Sequence, residues 1–195
     1  MVLTMDERQI ILGSLFGDGS LTRKGKSSFS EGHSGKQINY LQWKFDKLKR
    51  LNPGWWTSKN ELRNNIKMRV RHMEEFSHLR KLFYPEGKKI LPQSALLELN
   101  AQALAVWVGD DGGLTTTKYI ALATHSFTRE ENLRLMKYFW EQWGLKTRLR
   151  IKKTPRGKLY SIAFLAESSR KLANLIRPYL PPCMWYKLEV RKARE

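Results

Sequence analysis

The sequence predicts an α+β protein built from two copies of one helix, hairpin, helix, hairpin, helix unit (αββαββα), the first over residues 1–92 and the second over 93–195. Three observations predict it. An apolar word ending in a carboxylate beside glycine occurs twice, as Ile11-Leu12-Gly13-Ser14-Leu15-Phe16-Gly17-Asp18-Gly19 and, 93 residues on, as Leu104-Ala105-Val106-Trp107-Val108-Gly109-Asp110-Asp111-Gly112. Residues downstream recur at nearly the same spacing: His33-Ser34 with Leu41 returns as His125-Ser126 with Leu133, and Leu79, Leu82 and Pro85 return as Leu172, Leu175 and Pro178. Within each copy, two-residue alternation lies between runs of helical period.

The first helix is predicted from Met5 to Gly17, because Thr4 and Glu7 form a capping box and Asp6 and Glu7 complement the positive helix N-terminus. Gly13 and Gly17 share one face and strip it of bulk, so a second helix can approach closely. Asp18 falls at the C-terminal end, where free carbonyls and the helix dipole oppose a carboxylate unless a cation is present; that conflict predicts a metal site. Ser28-Phe29-Ser30 alternates behind the basic tip Arg23-Lys24-Gly25-Lys26, as in a hairpin whose loop meets phosphate. From Lys36, the apolar residues Ile38, Leu41, Phe45 and Leu48 predict a helix that Asn52-Pro53-Gly54 breaks. Trp55 to Arg71 reads as two strands with a turn around Asn64-Asn65. The second puts Lys67, Arg69 and Arg71 on one face and Met68 and Val70 on the other. Cations about 7 Å apart along a strand match the phosphate spacing of one DNA strand and can reach base edges in a major groove. Glu74 to Phe83 is a helix ended by Pro85-Glu86-Gly87.

The second copy repeats the plan. Leu96 to Gly109 is its signature helix, Tyr119 to Thr124 a strand, and Glu130 to Trp143 an amphipathic helix with Leu133, Met136, Phe139 and Trp140 inward, capped by Gly144. Lys146 to Lys152 alternates cationic with apolar residues. Thr154-Pro155-Arg156-Gly157-Lys158 is a basic turn, Tyr160 to Leu165 the returning strand, and Ser168 to Ile176 the last helix, before a tail from Tyr186 that is expected to fray.

Lys and Arg number 36 against 18 Asp and Glu, a net charge of +18 that implies a polyanion partner, with nucleic acid foremost. Aromatic residues at 11% exclude a disordered basic tail. A single cysteine, Cys183, excludes an internal disulfide framework and a multi-cysteine zinc site, and fits a reducing compartment. Asp6, Glu7 and Arg8 interrupt any signal-peptide core, and no apolar run is long enough to span a bilayer. An intracellular setting, in a bacterial or phage-infected cytoplasm or an organelle, is expected.

The paired words resemble the signatures of the LAGLIDADG homing endonucleases, in the single-chain form that carries both halves, and the resemblance covers nearly the whole chain. Copy two departs at two positions, with Val106 in place of Gly13 and Asp110 in place of Gly17. The Gly-x-Leu register shared by Gly19-Ser20-Leu21 and Gly112-Gly113-Leu114 favours Asp111 over Asp110 as the partner of Asp18. The resemblance implies two signature helices packed at a pseudo-twofold axis, antiparallel sheets forming a saddle over DNA, and two acidic residues that reach one strand each across the minor groove. It implies Mg²⁺-dependent phosphodiester hydrolysis, with Mn²⁺ able to substitute and Ca²⁺ supporting binding without cleavage. Asp18 and Asp111 are the expected metal ligands, with the carbonyls of Gly17 and Asp110 as helpers. Family members also place a polar residue near each site at the end of the second strand, which His33 and His125 would supply, and a lysine nearer the end of each unit, here Lys88 or Lys89 and then Lys187.

The expected product is a double-strand break in a long DNA target, made by a monomer. The target should be asymmetric, since Lys67, Arg69 and Arg71 align with Tyr160, Ile162 and Phe164. Expected DNA contacts are Arg23, Lys24, Lys26, Ser28, Ser30, Lys67, Arg69 and Arg71 in the first half, and Lys118, Arg148, Arg150, Lys152, Lys153, Arg156 and Lys158 in the second. An intron maturase that binds structured RNA and a non-cleaving DNA-binding regulator stay open as alternatives. A carboxylate kept in both copies favours the nuclease over the regulator.

Overall fold

Helix α1 (Met5–Phe16) begins as its cap residues require: Thr4 Oγ accepts from the Glu7 N–H, and the Glu7 carboxylate accepts from the Thr4 N–H at 2.8 Å. The structure is a computed structural model that describes residues 2–22, 26–60, 63–115, 119–155 and 157–190, with 58–60, 63 and 64 as backbone alone. From Ile10 to Phe16 every α1 residue is buried, the signature of a helix enclosed on all sides. Its principal neighbour is the second signature helix, α5 (Ala101–Asp111). α5 begins later than expected, because the Asn100 side chain accepts from the N–H groups of Gln102 and Ala103 and caps it there; a short helix α4 (Gln93–Leu97) precedes it. The two helices meet at backbone distance. A Cβ on Gly13 would lie 2.7 Å from Val106 Cβ, and one on Gly17 would lie 2.5 Å from Asp110 Cβ. Val106 and Asp110 thus use the room that glycine leaves on α1.

Around this pair stand two four-stranded antiparallel sheets. In the first, β1 (Ser20–Leu21), β2 (Phe29–Ser34), β4 (Arg63–Val70) and β3 (Gly54–Asn60) lie in the order β1-β2-β4-β3. In the second, β5 (Gly112–Thr115), β6 (Tyr119–Leu122), β8 (Gly157–Phe164) and β7 (Thr147–Thr154) lie in the equivalent order β5-β6-β8-β7. Two hairpins per half therefore join edge to edge. The β3–β4 turn is not at Asn64-Asn65: these pair with Lys59 and Ser58 inside the ladder, which runs on to Asn60 and Arg63, and residues 61–62 lie outside the described ones.

Helices α2 (Ile38–Lys47) and α3 (Glu74–Phe83) cover the first sheet, and α6 (Arg129–Trp143) and α7 (Ala166–Ile176) the second. Gly144 ends α6 in the left-handed region at φ 61°, a conformation open to glycine without steric cost. The inward face of α6 is turned from that expected: Leu135, Tyr138 and Phe139 are buried, while Leu133 and Trp140 are exposed. On α2, Ile38 is likewise exposed, and the polar-ended Tyr40 and Lys44 point inward. One apolar core runs through both halves, with Phe16 of α1 packed between Trp107, tilted at 4.9 Å between ring centroids, and Phe83, edge-on at 5.0 Å. The tail does not fray at Tyr186, since Pro182–Leu188 forms a 3-10 helix whose Lys187 is buried against α5. Among the described residues, no helix is long and apolar enough to cross a membrane.

Candidate active site

The two signature helices end side by side, and each end carries a carboxylate and an ammonium. Asp18 follows the cap residue Gly17 of α1, with a half-exposed side chain; Asp111 is the last residue of α5 and largely buried. Lys89 donates to the carbonyls of Gly17 at 2.9 Å and Gly19 at 3.3 Å. Lys187 donates to those of Gly109 at 2.5 Å and Asp110 at 3.0 Å. A buried cation on the free carbonyls answers the conflict of a carboxylate at the negative end of a helix. Burial lowers the pKa of both lysines, against the pull of the nearby aspartates. Lys88, the alternative to Lys89, points to solvent. The carbonyls of Gly17 and Asp110, expected as metal helpers, already accept from lysine.

Asp111 shows what the lysines leave unbalanced. Burial and then the charges of Asp18 and Asp110 push its carboxyl up to about 7. Asp18, His33 and Asp110 each present a ligand atom, all within 4.8 Å of one another. Carboxylates converging without enough positive charge suit a divalent cation, and hard oxygen donors with room for water suit Mg²⁺ or Ca²⁺.

Asp110 is committed elsewhere. Its Oδ1 accepts from Lys44 Nζ at 2.6 Å and Tyr40 O–H at 2.8 Å, and its Oδ2 from the Asp18 N–H at 3.3 Å. Lys44 also donates to Glu31, and Glu31 Oε1 meets His33 Nε2 at 2.6 Å. His33 Nδ1 then lies 3.3 Å from Gln37 Oε1 and 3.6 Å from Asp18 Oδ2. Burial would raise Glu31, but Lys44 and the His33 contact outweigh it and hold the carboxyl at about 2. Burial would lower His33, but Glu31 outweighs it and raises the imidazole. Glu31, Tyr40 and Lys44 were not expected. A trace existed: Tyr40 and Lys44 are one turn apart beside the stripe of Leu41 and Leu48, and Glu31 shares a strand face with His33.

Strand pairing decides which residues of the two halves correspond. Ser20 and Gly113 stand two residues past Asp18 and Asp111. Ser20 pairs with Ser30, Ser30 with Arg69, and Arg69 with Gly54; Gly113 pairs with Ala121, Ala121 with Ala163, and Ala163 with Arg148. β2 therefore maps onto β6 at a spacing of 91 residues, and β4 onto β8 at 94. His33 corresponds to Thr124, which is buried and hydrogen-bonded to Asn132 Oδ1 at 2.5 Å. His125 is exposed, and burial, Lys152 and Arg150 lower its pKa. The repeated His-Ser dipeptide thus brings His33 to the aspartates and leaves His125 among the cations. Ile162 and Phe164, aligned by sequence with Arg69 and Arg71, are fully buried core residues.

The cations follow the same geometry. Lys67, Arg69 and Arg71 project from the first sheet on or just after β4, with the Arg69 guanidinium 5.5 Å from the Trp56 ring centre. In the second sheet they move to β7, where Arg148, Arg150 and Lys152 occupy the positions of Gly54, Trp56 and Ser58, and Arg148 lies 5.0 Å from the Tyr119 ring centre. Lys26, Lys153 and Lys158 are exposed, and Ser28 and Ser30 half-buried. Arg23, Lys24, Lys118 and Arg156 lie outside the described residues.

A model of the LAGLIDADG DNA endonuclease family matches residues 8–172. The chain is 30% identical to cytochrome b mRNA maturase bI2 of Debaryomyces hansenii, over 92% of this chain and 72% of that protein. It is 31% identical to Protein RecA of Mycolicibacterium flavescens over 95% of its own length, and spans 47% of that protein, about half the relative's length. Its fold is similar to that of the homing endonuclease I-WcaI bound to its DNA recognition sequence, with TM-score 0.82 and 22% identity over 98% of this chain and 89% of that one. Two acidic helix ends beneath two basic sheets, and a family model that spans most of the sequence, lead to one conclusion: the chain belongs to the LAGLIDADG DNA endonuclease family.

Proposed function

We propose that this protein is a site-specific endonuclease that makes a double-strand break in a long, asymmetric DNA target by divalent-metal-dependent hydrolysis. The observation that carries the reading is the pair of carboxylates, Asp18 and Asp111, set at adjacent helix ends and short of positive charge. Two hydrolytic centres related by a pseudo-twofold match the local twofold of a duplex, and the repeats 1–92 and 93–195 would each read one half-site.

In this reading Asp18 and Asp111 would each help to hold a divalent cation at their own centre, Mg²⁺ or Mn²⁺ in the active enzyme. When bound, that ion polarises the scissile phosphate and lowers the pKa of the attacking water. Glu31 accepts from His33 Nε2 and, with Gln37 beside Nδ1, holds the imidazole next to Asp18, where it orients the water. Lys89 and Lys187 keep positive charge beside the developing phosphorane. The arginines and lysines of β4 and β7 bind phosphate and base edges, and their placement on an inner strand in one half and an edge strand in the other makes the target asymmetric. The protein works as a monomer inside the cell.

Digestion of a randomised duplex library, with ends sequenced, tests this. Discrete breaks at one long sequence in Mg²⁺, with short 3′ overhangs and none in Ca²⁺, are the expected result. Binding without cuts in either ion would overturn it in favour of the maturase reading, which the likeness to a cytochrome b mRNA maturase supports, and structured intron RNA would be the next substrate.

A further inference from the structure

A chain of buried charge crosses between the halves and serves one centre alone. Lys44, fully buried on α2, donates to Ser14 Oγ of α1 at 3.0 Å, to Asp110 Oδ1 of α5 at 2.6 Å and to Glu31 of β2. Glu31 Oε1 holds His33, and its Oε2 is buried with no partner among the described residues, so Lys44 and His33 anchor that carboxylate through a single oxygen. The second half has no such chain at these positions. The 91-residue spacing of β2 and β6 also relates Gln37 and Thr128, the residues that cap α2 and α6. It sets Leu122 against Glu31 and Leu135 against Lys44, both fully buried, while Asp110 stands where α1 has Gly17. Apolar residues in place of a buried ion set are often neutral or stabilising, and the second half shows that this fold accepts them. Stability alone therefore does not account for the charges in the first half.

We propose that Lys44 is a positioning residue: through Glu31 it fixes His33 against Asp18, and so makes the Asp18 centre cut its strand faster than the Asp111 centre cuts the other. The inference rests on the endonuclease reading. At the Asp18 centre the imidazole is held at both nitrogens, Nε2 by Glu31 and Nδ1 at 3.3 Å from Gln37 Oε1, which keeps Nδ1 3.6 Å from the Asp18 carboxylate, a constraint that lowers the entropic cost of reaching the reactive geometry. At the Asp111 centre Thr124 stands in its place, with its hydroxyl turned away to Asn132.

The test follows each strand separately under single-turnover conditions with saturating protein, the Asp18 strand being the one left intact by Asp18→Asn. In the natural protein this strand is expected to be cut faster by about tenfold or more. The triple variant Glu31→Leu, Lys44→Leu and Asp110→Gly gives Glu31 and Lys44 the residues of the second half and Asp110 the glycine that α1 has at Gly17. It is expected to keep DNA affinity, while the Asp18 strand slows until the two rates agree within about threefold. If the triple variant does not fold, Glu31→Gln alone, which keeps a hydrogen-bonding group on His33 without its charge, is expected to narrow the same ratio. Equal rates in the natural protein, or an unchanged ratio in the folded variant, overturn the positioning role and leave the endonuclease reading intact. A natural protein that cuts neither strand overturns both.

Discussion

Asp111 and Asp110 are adjacent, and the structure gives them opposite characters. Asp111 lies at the helix end near Asp18, whereas Asp110 is held by Lys44, Tyr40 and the Asp18 N–H. Asp18→Asn or Asp111→Asn is therefore expected to abolish double-strand cutting while DNA affinity stays within about tenfold, since phosphate contacts persist; gel-shift and cleavage assays on one target check this. Asp110→Asn is expected instead to lower stability by about 1–3 kcal/mol in denaturant unfolding, because Lys44 loses a buried ionised partner. A dead Asp110→Asn beside an active Asp111→Asn would reverse the assignment. At this scale the acidic positions were legible because each signature word ends its helix in a carboxylate, where free carbonyls need a cation; the lysines were named only by the family resemblance. Glu31, Tyr40 and Lys44 were not, because their partners are as many as 70 residues away and no local pattern links them.

At the scale of elements, the glycine face of α1 was readable from residue spacing, and what fills it was not. Gly13→Ala would drive a Cβ against the Ala103 carbonyl and Val106. Overpacking of that kind is expected to cost about 1–3 kcal/mol, seen as a lower thermal midpoint without loss of a metal ligand. The alternation of Lys67 to Arg71 was equally readable, since period two survives whatever the strand pairs with. Lys67→Ala with Arg69→Ala is expected to weaken DNA binding and reduce the slope of log affinity against log salt by roughly two, which titration at several salt concentrations measures. The register of β8 was misjudged by one position, enough to exchange its inward and outward faces, because the repeats differ by single residues in their connections. A slip of one position in the opposite direction, between β2 and β6, paired His33 with His125.

Over the whole molecule, the two halves share one core and one cluster of charge at the pseudo-twofold, so pH and metal act on global stability. The Asp111 carboxyl stands at about 7 in the fold against an ordinary 3.8, so the folded state binds the extra proton between those values. Its contribution is present below about 3.8 and lost as pH rises to about 7. The raised imidazole of His33 acts in the same direction, being lost as pH rises through its folded value. In chelator the thermal midpoint is thus expected to fall from pH 5 to pH 8, less steeply in Asp111→Asn. Mg²⁺ or Ca²⁺ is expected to restore more stability at pH 8 than at pH 5, because only the ionised carboxylate binds it. Calorimetry at both pH values with and without the ion tests the sign.

Sequence alone determined the α+β class, the two copies, the capped signature helices with Asp18 and Asp111 at their ends, and the net charge of +18 that led to the expectation of a polyanion partner. Each depends on local geometry or summed charge, which spacing and composition carry. Tertiary structure decided that Lys89 and Lys187 sit on the helix-end carbonyls, that His33 joins the site and His125 does not, that the cations move from β4 to β7, and that Asp110 anchors a buried network. Those depend on strand register and on side chains meeting across the pseudo-twofold, where one residue of offset reverses a face and no periodicity reports the partner.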